Sequence, residues 1–316
     1  MVEVSLCGAF PRSEELVEIT RAVDRGRASQ AELEQALRRD AEATVALQKQ
    51  SGLDPVVDGQ LSWQDLFRPF SELFTGIQLG SLTRWFDNNT FYRKPIVTGE
   101  ITFRGSRIDH YFREGLLPEG SLKKAILPGP FTFAVMSQNT AFHSFHELVD
   151  SIAHALKDAV SELRRVGYST FQFNEPSLVS RGISKDELKV ARNAFETCAR
   201  SAGGKTVLQT YFGDAGQIIA GLLEFPVDRI GVDFYATSIE AVSGLDFGKE
   251  LGCGCVDGRN SLLESPEELK KLVARVRQDL SPKELSLNPN CDLDFLPYPV
   301  AVKKVRLLSE ARKVVV

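Results

Sequence analysis

The stretch KTVLQTYFG, residues 205–213, shows most clearly the pattern on which the predicted fold rests. β-Branched and apolar residues at its start indicate a short buried strand, and the glycine at its end indicates a break. Side chains alternate along a strand, so Gln209 and Tyr211 point to the same side. In a barrel of parallel strands, both would lie at the carboxyl end, where such barrels place their functional groups.

Seven further segments resemble this one, and helical segments separate them along the chain. Strands joined through helices run parallel, and eight such units close naturally into a barrel. The sequence therefore predicts an α/β protein, a single (βα)8 TIM barrel over residues 1–316. The predicted strands are Val2–Leu6, Pro55–Gly59, Lys123–Thr132, Thr170–Pro176, Lys205–Gly213, Arg229–Phe234, Glu250–Gly258 and Leu285–Cys291.

Four helices are predicted from a serine followed three residues later by a glutamate. In this capping box the two side chains bind amides that the first helical turn leaves without partners. The pairs are Ser29 with Glu32, Ser144 with Glu147, Ser184 with Glu187 and Ser265 with Glu268. Further helices are predicted near 65–74, before Leu223 and over 298–313.

Residues 80–120 do not follow the alternation of strands and helices. The segment contains TRWFDNNTFYRKP and then an alternating run, ITFRG, which suggests a hairpin. We interpret it as an insertion between the second and third strands. Insertions at the rim of a scaffold often carry function.

The composition excludes several classes of protein. The chain of 316 residues has a net charge of −4, and its basic residues are scattered, so nucleic acid is not an expected partner. Five cysteines, an odd number, favour a reducing cytoplasm over a disulfide scaffold. The sequence contains neither a signal peptide nor an apolar run of the roughly 20 residues that span a bilayer.

Polar residues follow the apolar interiors of six predicted strands. One such residue is explained by a loop or a helix cap, but six at the same end of a barrel favour a functional site. These residues are Asp58, Asn174 with Glu175, Gln209 with Tyr211, Asp233, Asp257 and Cys291.

Several motifs together resemble the cobalamin-independent methionine synthase family, and most closely the N-terminal (βα)8 barrel of that enzyme as a stand-alone chain. The resemblance extends over nearly the whole sequence. Its motifs are GAFPR at 8–12, RWFDNNTFY at 84–92, GPFTF at 129–133, NEP at 174–176, LQTYFGD at 208–214, VDGRN at 256–260 and NPNC at 288–291.

The resemblance implies a comparison with the family's catalytic barrel, which binds zinc through His, Cys, Glu and Cys. Zinc converts the homocysteine thiol into a thiolate that accepts the methyl group. The matching positions here are Gln209, Tyr211, Asp233 and Cys291. Amide and phenol groups are poor zinc ligands at neutral pH. We therefore expect no metal and no other cofactor, with zinc as the less favoured alternative.

The resemblance also implies substrate-binding positions. Asn174 replaces the acid that holds the homocysteine amine, and an amide cannot neutralise an ammonium group. Arg84 either binds a carboxylate or stacks on Trp85. The folate-tail motif that follows FPR in the family is not reproduced. The predicted positions are Arg12, Arg84, Trp85, Asp87, Asn174, Glu175, Gln209, Asp257 and Arg259.

Three functions remain open at this point. The first is an accessory or substrate-binding subunit that acts with a separate zinc-bearing catalytic barrel. The second is an active homocysteine S-methyltransferase with a methyltetrahydrofolate or methyl-corrinoid donor. It would use Asp233 and Cys291 with other ligands, or Tyr211 as an acid–base group without metal. The third is a barrel with a new small-molecule ligand, since fold alone does not specify function.

Overall fold

The computed structural model describes residues 2–200 and 202–315, and a curled sheet of seven parallel strands forms its centre. The strands of the described residues are β1 (Glu3–Val4), β2 (Ile77–Arg84), β3 (Phe91–Val97), β4 (Lys124–Pro128), β5 (Gln138–Asn139), β6 (Thr170–Asn174), β7 (Lys205–Gln209), β8 (Arg229–Asp233), β9 (Glu250–Val256) and β10 (Glu284–Pro289). The central sheet has the order β1-β10-β9-β8-β7-β6-β4. This parallel order confirms the predicted α/β barrel fold.

The gap between β1 and β4 is spanned by the predicted second strand, which forms only isolated bridges. Asp54 N donates to Val4 O at 2.9 Å, and Lys124 N donates to Val56 O at 3.0 Å. Pro55 has no N–H to add to the ladder, which limits regular pairing here. The barrel is therefore closed by a segment too short to count as a strand.

The helices pack around the sheet, and their starts agree with the predicted capping boxes. Ser29 and Ser265 form complete capping boxes with Glu32 and Glu268. The helices are α1 (Glu14–Asp24), α2 (Gln30–Gln50), α3 (Arg68–Leu73), α4 (Ile108–Tyr111), α5 (Pro130–Val135), α6 (Phe145–Arg165), α7 (Lys185–Arg200), α8 (Ile219–Leu222), α9 (Ile239–Val242), α10 (Pro266–Leu280) and α11 (Tyr298–Val315), with short 3-10 turns at Glu114–Leu116 and Pro176–Leu178.

Helix α1 was not predicted from the sequence. The Ser13 side chain accepts a hydrogen bond from Leu16 N at 3.1 Å, and two glutamates follow in the first turn. Both features stabilise a helix start. They were overlooked because Phe10-Pro11-Arg12 was interpreted as a turn leading directly to α2.

The insertion forms a hairpin that differs from the predicted one. Strands β2 and β3 pair antiparallel, and β5 adds to β3 in parallel. The hairpin begins at Ile77, before the predicted start at Gly80, and the run ITFRG lies outside it. Phe103 of that run forms only one bridge, with Phe74. The prediction placed the pairing at the wrong residues because alternation was clearer in ITFRG than in the true strands.

A charged network fills the amino end of the barrel. Arg229 on β8 is 4% exposed and bonds Glu250 on the neighbouring β9 and Glu3 on β1, with Nη2 at 2.9 Å from Glu3 and 2.8 Å from Glu250. Lys124 Nζ donates to Leu6 O at 2.7 Å deeper in the interior. Ion pairs therefore hold the amino end of the barrel together. Within residues 2–200 and 202–315, no helix is long and apolar enough to cross a membrane.

Candidate ligand site at the barrel mouth

The end of β7 places Gln209 and Tyr211 inside the barrel, as predicted. Gln209 is 1% exposed, and its Nε2 donates to Thr210 O at 3.1 Å. Its side chain lies over the α-carbon of Gly231, so only a residue without Cβ leaves room for it there. The Gln209 amide is thus held by a hydrogen bond to the next residue and by packing over Gly231 on β8.

Tyr211 lies fully buried below an aromatic cover. Phe212 adopts a left-handed φ of 68° and its ring contacts Phe86 of the hairpin and Phe295, both at 5.7 Å between centroids. The guanidinium group of Arg259 lies over the Phe212 ring at 5.1 Å. The Tyr211 hydroxyl has no hydrogen-bond partner, and burial raises its pKa well above the usual value.

Asp233, at the end of β8, is surrounded by donors. Its carboxylate accepts hydrogen bonds from Phe212 N, Tyr235 N, Ala236 N and Asn290 Nδ2. Burial still raises its pKa. The carboxylate therefore organises the loop after β8, mainly through Oδ1, while Oδ2 accepts from Phe212 N at 3.4 Å.

The side chains of Asp257 and Arg259 do not form an ion pair with each other. Asp257 Oδ1 accepts the backbone N–H of Arg259 at 2.9 Å and the side-chain amide of Asn290 at 3.3 Å. The Arg259 guanidinium turns to Phe212 instead. Both residues shape the rim of the barrel mouth.

Asn174 and Glu175, at the end of β6, are fully buried. Asn174 Oδ1 accepts from Gln172 Nε2 at 2.7 Å, whereas its Nδ2 has no partner. Glu175 accepts the backbone N–H groups of Phe131 and Thr132 at 2.9 and 2.7 Å. Burial raises the pKa of Glu175 to about 7 despite these bonds. Glu175 thereby anchors the loop after β4 to β6.

The raised pKa of Glu175 predicts a pH-dependent stability. Between a pH near the usual glutamate pKa and a pH of about 7, the folded state binds more protons than the unfolded state. Stability from this group is therefore full at low pH and is lost as the pH rises through that window, by about 3 kcal/mol at most. Urea unfolding from pH 4.5 to 8 should show a steeper fall for the native chain than for Glu175→Gln. Parallel curves would contradict the assignment.

The residues at the four family zinc positions do not fit a zinc ion. Asp233 is occupied by N–H donors, and Gln209 offers an amide. Burial and the neighbouring Asp292 and Asp233 raise the pKa of the Cys291 thiol. Among the residues that the structure describes, no group of three or more His, Cys, Asp or Glu side chains could hold a metal ion.

A cavity of about 410 Å³ opens beside the barrel mouth. It lies between the loop after β1, the segment before α3, the hairpin and the loop after β10. Arg12 and Trp85, two predicted binding residues, line it. Arg12 Nε donates to Leu61 O at 2.9 Å. The other residues that line the cavity include Trp63, Tyr92, Asp65, Asp292 and Asp294.

Seven of the nine predicted binding residues do not line this cavity, including Asn174, Glu175, Gln209, Asp257 and Arg259 described above. Arg84 and Asp87 are exposed on the hairpin and do not line it. Sequence analysis missed Asp292, whose Oδ1 accepts Ala9 N at 3.1 Å and lies over the α-carbon of Gly8. Its position directly after the NPNC motif was the available signal. The substrate-binding roles of all these residues stay predictions.

Comparison with known proteins agrees with the fold. The chain is 26% identical to a methionine synthase of Saccharolobus solfataricus, over 100% of this chain and 95% of that protein. It is 26% identical to a methionine synthase of Sulfolobus acidocaldarius, over 96% and 89%. A solved B12-independent methionine synthase from Shewanella sp. W3-18-1 superposes with a TM-score of 0.82 at 18% identity, over 100% of this chain and 98% of that one.

A family model also matches the sequence directly. Residues 75–281 match the model described as the N-terminal domain of cobalamin-independent synthase. This match includes strands β2 to β9 and the hairpin, and it extends over well over half of the 316 residues. The chain therefore belongs to the cobalamin-independent methionine synthase family and is a barrel of its N-terminal-domain type.

Proposed function

We propose that this methionine-synthase-like barrel serves methionine biosynthesis as an accessory, substrate-binding subunit that acts with a separate zinc-bearing catalytic barrel. The observation that carries the proposal is the chemistry at the zinc positions. Gln209, Tyr211, Asp233 and Cys291 are buried, and their described hydrogen bonds are made within the protein. Without a metal, the homocysteine thiol lacks its activator at neutral pH.

Three of these four positions, Gln209, Tyr211 and Asp233, differ from the family's ligand types, and Tyr211 is used in packing. Tyr211 is 0% exposed and lies under Phe212, with ring centroids 4.6 Å apart. A phenol ring occupies far more space than the cysteine expected there. The mouth of this barrel is thus filled where a catalytic relative would hold metal and thiol, while the cavity beside it remains open.

Zinc content tests the first half of the proposal. The purified chain is expected to contain no stoichiometric zinc by elemental mass spectrometry, and Cys291→Ala should not change that value. The matched variant Gln209→His with Tyr211→Cys and Asp233→Glu restores the family ligand types and should gain zinc. One zinc per native chain, lost on Cys291→Ala, would contradict the proposal.

Methyl transfer tests the second half. The chain alone should not methylate homocysteine from methyltetrahydrofolate, and it should co-purify with a zinc-bearing methionine synthase barrel from the same genome. Adding the chain to that barrel should raise kcat/KM for the folate donor. Catalysis by the chain alone, or the absence of any complex and any effect on the second barrel, would overturn the accessory role.

An active methyltransferase is the second candidate. The observation in its favour is length, since the methionine synthase of Saccharolobus solfataricus is matched over 95% of its length by this chain. A protein of nearly the same length as this single barrel is therefore named a methionine synthase. This function would use either Asp233 and Cys291 with other metal ligands or Tyr211 as an acid–base group without metal. In the second case Tyr211→Phe would abolish it.

A further inference from the structure

The walls of the 410 Å³ cavity combine aromatic rings with carboxylates. Seven of its described lining residues are aromatic: Phe10, Trp63, Trp85, Phe91, Tyr92, Phe295 and Tyr298. Aromatic faces carry negative electrostatic potential and attract cations. Few of the other lining residues carry charge. The kind of ligand that the cavity binds therefore depends on the aromatic rings and on a small number of ionisable groups.

The charged lining residues are three carboxylates and one guanidinium. Asp65 is engaged by the protein, since it caps α3 through Phe67 N and Arg68 N at 2.9 and 2.8 Å and also accepts Arg93 N at 3.1 Å. Arg12 is held by Leu61 O and lies in the field of Asp294. One positive group therefore faces three negative groups.

Asp292 and Asp294 form an acidic pair in which Arg12 offsets the charge of Asp294. Asp292 accepts Ala9 N, and this is the one hydrogen bond described for its carboxylate. Burial, followed by the charge of Asp294, raises the pKa of Asp292 well above the usual value. Two neighbouring carboxylates repel each other, and a bound cation would relieve that repulsion.

The Tyr211 hydroxyl extends the same region into the barrel. It is fully buried and has no hydrogen-bond partner, and Asp292 is the charged group that contributes most to its raised pKa after burial. The phenol therefore does not donate to Asp292, although the two groups interact. Among the described residues, Ala9 N is the donor that reaches the Asp292 carboxyl group, and a bound cation would favour its ionised form.

We propose that this cavity binds a small methylated organic cation, a quaternary ammonium or a sulfonium compound. Ring faces and carboxylates together attract a diffuse positive charge, and methyl groups pack against the rings without needing hydrogen-bond acceptors. A primary ammonium needs an acceptor for each of its three N–H bonds, whereas a methylated cation needs only aromatic rings and a nearby negative charge. The inference is independent of the proposed partner barrel.

Calorimetric titration of the full chain tests the inference with three probes. Choline chloride and trimethylsulfonium iodide should bind, whereas the neutral carbon isostere of choline, in which a tert-butyl group replaces trimethylammonium, should bind about tenfold more weakly or not at all. Equal affinity for choline and its neutral isostere would overturn the proposal, because the cavity would then be selecting shape alone.

Variants locate the binding site. Asp294→Asn and Trp85→Leu should each weaken choline binding about tenfold. Asp186→Asn, an exposed carboxylate on α7 outside the cavity, should leave it unchanged. Asp294 is exposed, so its variant should remain folded, and a circular dichroism spectrum verifies this. Binding of methyltetrahydrofolate that depends on Asp294, without binding of either cation, would overturn the inference. Zinc content and binding to a partner barrel, which test the proposed function, do not depend on whether the cavity binds a cation.

Discussion

Replacing Arg229 with methionine is expected to lower the free energy of unfolding by about 3–5 kcal/mol. The guanidinium group is 4% exposed and bonds Glu3 and Glu250, whose side chains are 19% and 14% exposed. Removing it leaves two largely buried carboxylates with Lys205 as their remaining cation, at 3.4 Å from Glu3 and 2.9 Å from Glu250. Methionine fills similar volume, so the loss reports charge rather than a cavity. Urea unfolding at neutral pH measures the change.

A surface pair provides the matched control. Arg38 bonds Glu42 at 2.9 Å one turn away on α2, with side chains 65% and 53% exposed. Arg38→Met should change stability little, because water screens exposed pairs. The triple variant Glu3→Gln, Arg229→Met, Glu250→Gln should recover much of the loss, since it removes the unpaired charges. A loss that persists in this triple variant would show that packing, not charge, explains the effect.

Substituting alanine for Gly213 is the second large expected effect, with a loss of about 3 kcal/mol from overpacking. A Cβ at this position would lie closer than 3.0 Å to the backbone of Val179 and Ser180. Backbone atoms cannot rotate away as a side-chain end can, so one of the two loops must move. Gly213 follows the left-handed Phe212, and a shift here should also displace the cover over Tyr211.

Gly182→Ala is the control, because its Cβ would meet nothing within 4 Å. Thermal unfolding of both variants gives the stability difference. Near-ultraviolet circular dichroism reports the aromatic cover, and its signal should change in Gly213→Ala alone. Unchanged stability in Gly213→Ala would mean that the loops after β6 and β7 can separate without cost, contrary to their close approach here.

Local signals explain why most elements were predicted correctly. A capping box involves residues three positions apart, so Ser265 and Glu268 mark the start of α10 without reference to the rest of the chain. Buried parallel strands are short apolar runs, and β7 and β8 stand out as such. The segment around Val56 looked similar, but Pro55 limits its pairing, and only the neighbouring strands show how it closes the barrel.

The site was harder to predict because its parts come from distant segments. Sequence analysis found Arg12 and Trp85, which line the cavity, yet it also included Arg84 and Asp87, which are exposed elsewhere on the hairpin. Neighbours in sequence point in different directions along a strand, so a motif such as RWFDNN contains both kinds. Asp292 was missed because its role depends on contact with Gly8, far away in the chain.

The sequence by itself determined the barrel class, the helix starts and the identity of the residues at the zinc positions, because these depend on local pattern and residue chemistry. Tertiary structure alone decided that Tyr211 lies beneath Phe212, that Asp233 is occupied by four N–H donors, and that rings from four segments surround one acidic cavity. These features arise from packing between residues distant in sequence, and no local pattern encodes which distant groups will meet.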